Sequence, residues 1–524
     1  MNDNGSERIR GLLAPLTLWI ATVVIWLPWL GNVPLRDWDE GIVASVARAT
    51  SQQSGLRWLL ALKDAGEPYL NKPPGLHWLI GTSIQTWGEG EWAVRVIPAL
   101  VSTLAVPLLV LLRREFSRDQ HGDQSALTAG LVLMTLLPMA RHGRLAMLDG
   151  SLVSCSLMLW LGWLRSRRHL RSAALAGLGG SGVLLLKPPA LIGFAAIILV
   201  MEVLERLSHS PLNQPQRSRQ PSLKTSRRMG WLLLGLSPGL AWHLWHGWWR
   251  GLDALVMWGG QGLSRLTTVV EGNQGGWLVP ITEVLEGGWP WLLLLPAGVH
   301  WAWHHRKERA GLWELGLLGG SAALVLPLRT QLPWYSHLLW PPIALLCGEG
   351  LSQLLANGKP RWVPSLWTGL GTVLLLAGSM ALFEITDTFP STPFLSAGVG
   401  LLLGGVWLRA SSQTRRFRGL VILLIGWSLA LLSLWHSRLW LWELNESWDP
   451  RPIAALIRTL PDEDSVYLQG PTRPSLGWYA DRSLRRHQSE RPRERHWLIT
   501  RKSPESCTQQ PTAIDGDWQL WLCP

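Results

Sequence analysis

The chain of 524 residues is short of charge, short of cysteine and without several of the short patterns that announce a chemistry. Charged residues make up 16 % of it, against roughly 25 % in soluble domains, which excludes an ordinary solvated surface. Four cysteines cannot build a disulfide framework. Cys155 and Cys347 lie in apolar stretches; Cys507 and Cys523 lie in the tail and could pair if that tail is extracytoplasmic. There is no Gly-rich phosphate loop, no Cys/His metal spacing and no internal repeat of solenoid period. The opening stretch MNDNGSERIRGLLAPLTLWIATVVIWLPWL lacks a convincing small-residue cleavage site, so it is expected to be a retained first span rather than a removed signal peptide.

What is present in excess is tryptophan, 36 residues. Indole sits well at the headgroup boundary of a bilayer, so most of these rings are expected to anchor and pack. The mean hydropathy is +0.14 and the isoelectric point about 10.2. A formal charge of +12 could suggest nucleic acid. Here the basic residues fall in short clusters between apolar runs, which points to membrane topology and to no nucleic-acid partner.

A crossing helix needs about 20 apolar residues. Runs of roughly that length centre near residues 21, 103, 133, 154, 179, 197, 238, 295, 319, 346, 373, 402 and 427, which predicts about thirteen spans. The runs at 179 and 197 are separated by LLKPPA, and Lys187 followed by two prolines cannot continue a straight helix through the bilayer, so a tight turn is expected there. With the N-terminus in the cytoplasm, every second loop is basic: Arg8 and Arg10; Arg113, Arg114 and Arg118; RSRRHLR (165–171); RSRQPSLKTSRR (217–228); HHRKER (304–309); Lys359 and Arg361; RRFR (415–418). The tail then lies outside. The fold class that follows is an all-α polytopic membrane protein carrying a small C-terminal α/β extracytoplasmic domain. The membrane domain covers 1–436, with external loops at 31–92 and 248–287, and the tail domain covers 437–524. In the first loop, GLHWLIGTSIQTW (75–87) is too short to cross and is expected to lie in the interface. The stretch 208–229 reads as a flexible linker. In the tail, SVYLQG (465–470) and HWLIT (496–500) read as strands and PIAALIRTL (452–460) as a helix.

Ionisable groups at a membrane face are costly and therefore become functional candidates. On the outer face of this topology stand Asp37, Asp39 and Glu40; Asn71 and Lys72; Arg95; Arg141, His142, Arg144 and Asp149; Lys187; Arg265; and Arg329, Tyr335 and His337. Carboxylates suit deprotonation of a hydroxyl. Lysine and arginine suit a phosphate leaving group. The bland alternatives are specific: Asp37 as a helix N-cap, Lys72 as a snorkelling side chain, and Asp149 as compensation of a helix N-terminus.

The stretch RDWDEGIVASVARAT…GEPYLNKPPGLHWLIGTSIQTWGEGEWAVRVIPAL resembles the first external loop of the GT-C glycosyltransferases that use polyprenyl-phosphate sugars, most of all the aminoarabinose transferases that modify lipid A, with protein O-mannosyltransferases more distant. The likeness continues through AMLDGSL, LLLKPPAL, GGWPWLLLLPAG (287–298) and LPWYSHLLWPPIALLCG (332–348), and fades after about residue 350. It implies an inverting transfer of a sugar from an isoprenoid phosphate to an envelope lipid, glycan or protein at the inner (plasma) membrane. Asp39, with Glu40 beside it, would be the catalytic carboxylate near the acceptor. Lys72, Arg265, Lys187 and Tyr335 would meet the donor phosphate, and Asp149, Asn71, Arg95 and His337 would line the cavity or acceptor side. The family's Glu before the Lys-Pro motif is Asn71 here, and a basic residue often found after the acid pair is Ile42; the first departure argues against a metal site and against a cationic amino sugar. No cofactor is required; a divalent cation near Asp39 and Asp149 has no support in the spacing. Two other classes compete with the enzyme. A translocator of a lipid-linked sugar would show polar groups along a mid-bilayer path, and a membrane scaffold would find the outer-loop charges dispensable.

Overall fold

The computed structural model describes the chain apart from residues 1–2, 64–65, 118, 209–221, 260–263, 270–275, 384–390, 438, 441–448, 471–472, 483, 487–494, 502–503, 505–506, 508–510, 512, 516–517 and 524, and apart from the side chains of 3–11, 222–223, 265–266, 486 and 513–515. It is mostly helical and divides into two compact units, Met1–Trp29 with Leu70–Leu76 and Pro98–Ser437, and Leu30–Tyr69 with His77–Ile97 and Arg438–Pro524.

The first unit is a bundle. Each of the thirteen expected centres falls inside a helix, from Asp3–Trp26 to Gln413–His436. Among the described residues, length and composition mark four helices as able to cross a membrane: Glu91–Phe116, Trp362–Leu382, Ser391–Leu408 and Gln413–His436. The count reaches six if two bent pairs are each one span, Leu137–Gly143 with Leu148–Arg165 (111°) and Leu278–Gly287 with Trp291–His304 (100°). Other apolar helices fall short because the sequence breaks them. Lys187 ends the Ser172–Leu186 helix, and Pro188 opens Pro188–Ser208, where its missing N–H costs nothing. The linker expected over 208–229 is shorter than that: Ser222–Arg250 is one continuous helix, and 209–221 lie outside the described residues.

At one end of this bundle four helices meet on a buried ion cluster. Arg113 Nε lies 2.5 Å from Glu314 Oε1, and its Nη2 lies 3.3 Å from Glu349 Oε2. His121 Nε2 is 3.0 Å from Glu349 Oε1. The guanidinium and both carboxylates are fully buried, so each charge depends on the others for the solvation it has lost.

The second unit joins a helical part to a small sheet. The helices are Asp39–Ser51, most of Gly75–Trp87, Arg451–Arg458 and Pro474–Ala480. The strands are β1 (Val466–Leu468), β2 (Arg485–Arg486), β3 (His496–Thr500), β4 (Ala513–Asp515) and β5 (Trp518–Cys523), in the order β2-β1-β3-β5-β4. β1 runs parallel to β2 and β3, and β5 runs antiparallel to β3 and β4. Register pairs Leu498 with Trp521 and His496 with Cys523, so Leu498, Trp521 and Cys523 share one buried cluster. Cys507 and Cys523 form a disulfide across that face. The loop 31–92, assigned by sequence to the membrane domain, falls largely in this unit with the tail. The reason is backbone proximity. A Cβ at Gly41 would run into the backbone of Pro474 and Ser475, so only glycine lets these two helices approach so closely.

Candidate active site

The first unit contains a cavity of about 480 Å³, a size usual for small-ligand sites. Six of the residues singled out by sequence line it: Asn71, Lys72, Asp149, Lys187, Tyr335 and His337. They come from four separate stretches, and local chemistry explains how each arrives. Asn71 and Lys72 lie in the Asn-Lys-Pro-Pro loop before the Gly75–Trp87 helix. A Cβ at Gly75 would press on the Leu185 carbonyl, so this loop rests directly on the turn that carries Lys187. The two Lys-Pro-Pro motifs, more than a hundred residues apart, thus serve one cavity. Asp149 occupies the first turn of Leu148–Arg165, where the helix N-terminus favours a negative charge. Tyr335 and His337 sit on the 3₁₀ turn Pro333–Leu338 and are 7 % and 1 % exposed. Lys187 Nζ stands 4.4 Å from the centroid of the Tyr335 ring, a cation–π contact that fixes the direction of the ammonium. The remaining wall is largely apolar, with Leu152, Ile192, Phe194, Leu324 and Leu328 among its members. Two lysines and one carboxylate on such a wall suit an anionic head attached to a hydrocarbon tail.

The acid motif belongs to the second unit, and its three carboxylates have different surroundings. Glu40 is fully buried and receives Arg95 Nε at 2.8 Å and Nη2 at 2.7 Å. Arg95 also donates to the carbonyls of Leu30 (2.7 Å), Val33 (2.9 Å) and Pro34 (2.7 Å), and its guanidinium lies 5.3 Å from the Trp440 ring centroid. Every N–H of the guanidinium is therefore engaged. Glu40, expected as a catalytic partner, and Arg95, expected on the cavity or acceptor side, are thus buried against each other; Glu40 further accepts the Arg36 amide at 3.0 Å. Asp37 does not cap the helix. It accepts Arg473 Nη1 at 2.5 Å and the Ser475 amide at 3.3 Å, and the Ser475 hydroxyl donates to it as well. The N-cap is Trp38, whose φ of 60° is rare for a bulky residue. Asp39 opens the helix and is half-buried, the one acid of the three that is not buried. Nearby, the Tyr479 hydroxyl accepts the Leu35 amide (2.8 Å) and donates to Glu91 (2.9 Å). Burial, with the Glu91 carboxylate beside it, pushes this phenol well above its ordinary range.

Arg265 falls in the short helix Ser264–Thr267, and its side chain lies outside the described residues. Among the described residues no three His, Cys, Asp or Glu side chains converge in a way that could hold a metal ion. Sequence reasoning missed the apolar wall, including Phe194, Met257 and Trp258, because such residues are indistinguishable from ordinary membrane-facing ones until the chain is folded.

Over 97 % of both chains, the structure superimposes on the crystal structure of ArnT from Cupriavidus metallidurans in the apo state with a TM-score of 0.74 at 15 % identity. The same protein bound to undecaprenyl phosphate gives 0.71 at 16 % identity over the same shares. The fold is that of the GT-C glycosyltransferases. The GT-C likeness extends to sequence. Residues 71–213, which hold Asn71, Lys72, Asp149 and Lys187, match the family described as dolichyl-phosphate-mannose-protein mannosyltransferase. The chain is 28 % identical over 430 residues to the undecaprenyl phosphate-alpha-4-amino-4-deoxy-L-arabinose arabinosyl transferase of Pseudomonas aeruginosa strain LESB58, covering 80 % of this chain and 73 % of that one. It is 29 % identical over 342 residues to arabinosyl transferase 1 of the same description from Pseudomonas fluorescens, covering 61 % of this chain and 56 % of that relative's length.

Proposed function

We propose that this chain is an integral membrane glycosyltransferase that moves a sugar from an isoprenoid-phosphate donor to an acceptor of the cell envelope, a glycolipid, glycan or protein, with inversion at the anomeric carbon. The observation that carries this reading is the cavity that gathers Lys72, Lys187, Tyr335 and Asp149 against an apolar wall. The GT-C fold and the sequence likeness to named arabinosyl transferases support it further.

In this reading the hydrocarbon tail lies along Leu152, Ile192, Phe194, Leu324 and Leu328, and the phosphate meets Lys72 and Lys187, with Arg265 joining them on the strength of the resemblance. The acceptor hydroxyl attacks the anomeric carbon while the bond from that carbon to the phosphate oxygen breaks, and the electron pair leaves on the phosphate. A phosphodiester of one negative charge becomes a monoester of two. Fixed lysines stabilise this gain of charge without reorganisation. The acceptor proton passes to a carboxylate. Asp39 is the proposed base, because the resemblance assigns the role to it and because it alone of the three acids is not buried; Asp149 is the competing candidate.

The proposed topology has thirteen spans, a cytoplasmic N-terminus and an extracytoplasmic tail over 437–524 at the inner membrane. A helix at every expected centre, the alternation of basic loops and the Cys507–Cys523 disulfide support it, since disulfides persist in oxidising compartments. The activity is tested by incubating the purified full chain with undecaprenyl-phosphate sugars and envelope extract, and following label from lipid to acceptor. Label that crosses a vesicle bilayer while still attached to its lipid, with no transfer, would establish the translocator instead.

A further inference from the structure

His337 has an environment that the transfer reaction as described leaves unused. It lines the cavity from the Pro333–Leu338 turn and is 1 % exposed. Its Nδ1 contacts the carbonyl oxygen of Trp334 in its own turn, and its Nε2 lies 3.5 Å from the carbonyl oxygen of Pro138. His142 brings its own Nδ1 to 3.3 Å from that same Pro138 oxygen, and the two imidazole rings meet edge to face at 4.5 Å. A carbonyl oxygen can only accept. An imidazole with both nitrogens turned to carbonyls is matched by the form that carries a proton on each; the neutral ring would aim a lone pair at an oxygen.

We propose that His337 is a proton-dependent cationic wall of the donor cavity, taking up a proton when the lipid phosphate binds and adding positive charge as the leaving phosphate becomes a dianion. This rests on the donor reading above. The two contacts turn both ring nitrogens to the backbone, so the role assigned to His337 is through its field. The His337 proton stays in place throughout the transfer; the acceptor's proton goes to the base and the electron pair of the broken bond goes to the phosphate. His142 is the positioning residue, holding the His337 ring from the Leu137–Gly143 helix.

The charged and titratable groups around His337 are the cavity's Lys72, Lys187, Asp149 and Tyr335, then Arg141, His142 and Arg144, and Arg329 before the turn. The Leu278–Gly287 helix, packed on the turn, brings Glu283 and Glu286. Arg309–Val325 and Trp340–Asn357 also pack on the turn, but their Arg309, Glu314 and Glu349 stand more than two helical turns along, Glu314 and Glu349 in the Arg113 cluster. Among these residue types only imidazole ordinarily titrates between pH 5 and 8. The sign follows: the imidazole is charged at low pH, so anion affinity is higher there and falls as pH rises. By linkage, an anion that binds the charged form more tightly draws a proton in.

The test uses the purified full chain in nanodiscs and undecaprenyl methyl phosphodiester, a probe whose single charge does not change in this range. Affinity should fall about fivefold or more between about pH 5.5 and pH 8.5, the lower end of typical site–site coupling. Calorimetry in two buffers of different ionisation enthalpy should register net proton uptake near neutral pH. His337→Gln should bind with a much smaller pH slope, near the affinity of the unmodified protein at the alkaline end. The proton count needs no variant: zero uptake by the unmodified protein overturns the proposal, as does an equal slope in His337→Gln. A probe that binds at no pH overturns the donor reading itself, whereas a probe that binds without a linked proton overturns only the role of His337.

Discussion

Charges buried in the second unit and charges lining the cavity of the first look alike in sequence and differ in company. Arg95 spends every N–H on Glu40 and three carbonyls. Lys187 makes its described contact with the face of a ring, which orients an ammonium but leaves its N–H donors available for an oxygen ligand. Asp37 and Glu40 each hold an arginine, while Asp39 between them is half-buried. A membrane protein keeps both kinds of charge. Matching a charge completely inside the protein makes it part of the scaffold. Placing cations and one carboxylate around an apolar hollow makes a place for something else.

The sharpest way to break this division is at the acid pair. Asp39→Asn keeps shape and removes basicity, and removal of a general base commonly costs about 10²–10⁴-fold in rate. Transfer by the purified variant should fall by that factor with donor binding and thermal stability unchanged. Glu40→Gln should do the reverse, lowering stability with residual turnover in the folded fraction. If Asp39→Asn is active and Glu40→Gln is folded but dead, the base is Glu40, and its pairing with Arg95 is part of the mechanism. If both Asp39→Asn and Glu40→Gln transfer at full rate, the base moves to Asp149.

Next in size is Arg95→Ala. It leaves the Glu40 carboxylate buried without its partner, a loss that typically costs about 3–5 kcal/mol. Thermal unfolding in detergent should show a marked drop, and Arg95→Ala with Glu40→Ala should recover part of it, since neither charge then remains. A single variant as stable as the unmodified protein would remove the distinction between scaffold and site on which the assignment rests.

A middle-sized effect is expected at the cavity. A charge-assisted hydrogen bond contributes about 1.5–3 kcal/mol, or roughly ten- to a hundredfold in binding. Lys72→Ala and Lys187→Ala should each raise the donor KM by that factor while leaving unfolding temperature nearly unchanged. Unaltered donor kinetics in both would sink the phosphate assignment.

These outcomes bear on what was legible beforehand. The positions of the helices were readable because apolar runs of bilayer length are a strong signal, and even the break at Lys187 was visible in its two prolines. The two Lys-Pro-Pro motifs could be named but not joined, because the Gly75–Leu185 approach that joins them is a long-range packing event. The burial of Asp37 and Glu40 could not be foreseen, since their partners Arg473, Ser475 and Arg95 lie tens to hundreds of residues away. Three of the five strands were missed: β2 is two residues long, and β4 and β5 follow the polar segment that hid them, although the alternation in WQLWLC was there to be read. His142 was noted as an outer-face residue, but nothing in its spacing links it to His337.

The smallest effect concerns Tyr479, which stands in the second unit as a neutral counterpart to Arg95. Its hydroxyl bridges the Leu35 amide and Glu91, and burial beside that carboxylate favours the protonated phenol. Because the folded-state value is raised, the stabilisation is fully present below the ordinary tyrosine value near 10 and is lost as pH climbs above it. Tyr479→Phe removes both bonds and leaves a buried amide and a carboxylate each short of one partner, so a loss of about 1–3 kcal/mol is expected at neutral pH. The difference in unfolding temperature between the unmodified chain and Tyr479→Phe should shrink as pH is raised from about 9 to 11, whereas lysine titration, common to both, cancels from the comparison. A difference that stays constant across that range would mean that the phenol ionises as easily in the folded chain as in the unfolded one, and the hydroxyl would then be a spectator and not a tie between the acid motif and the tail.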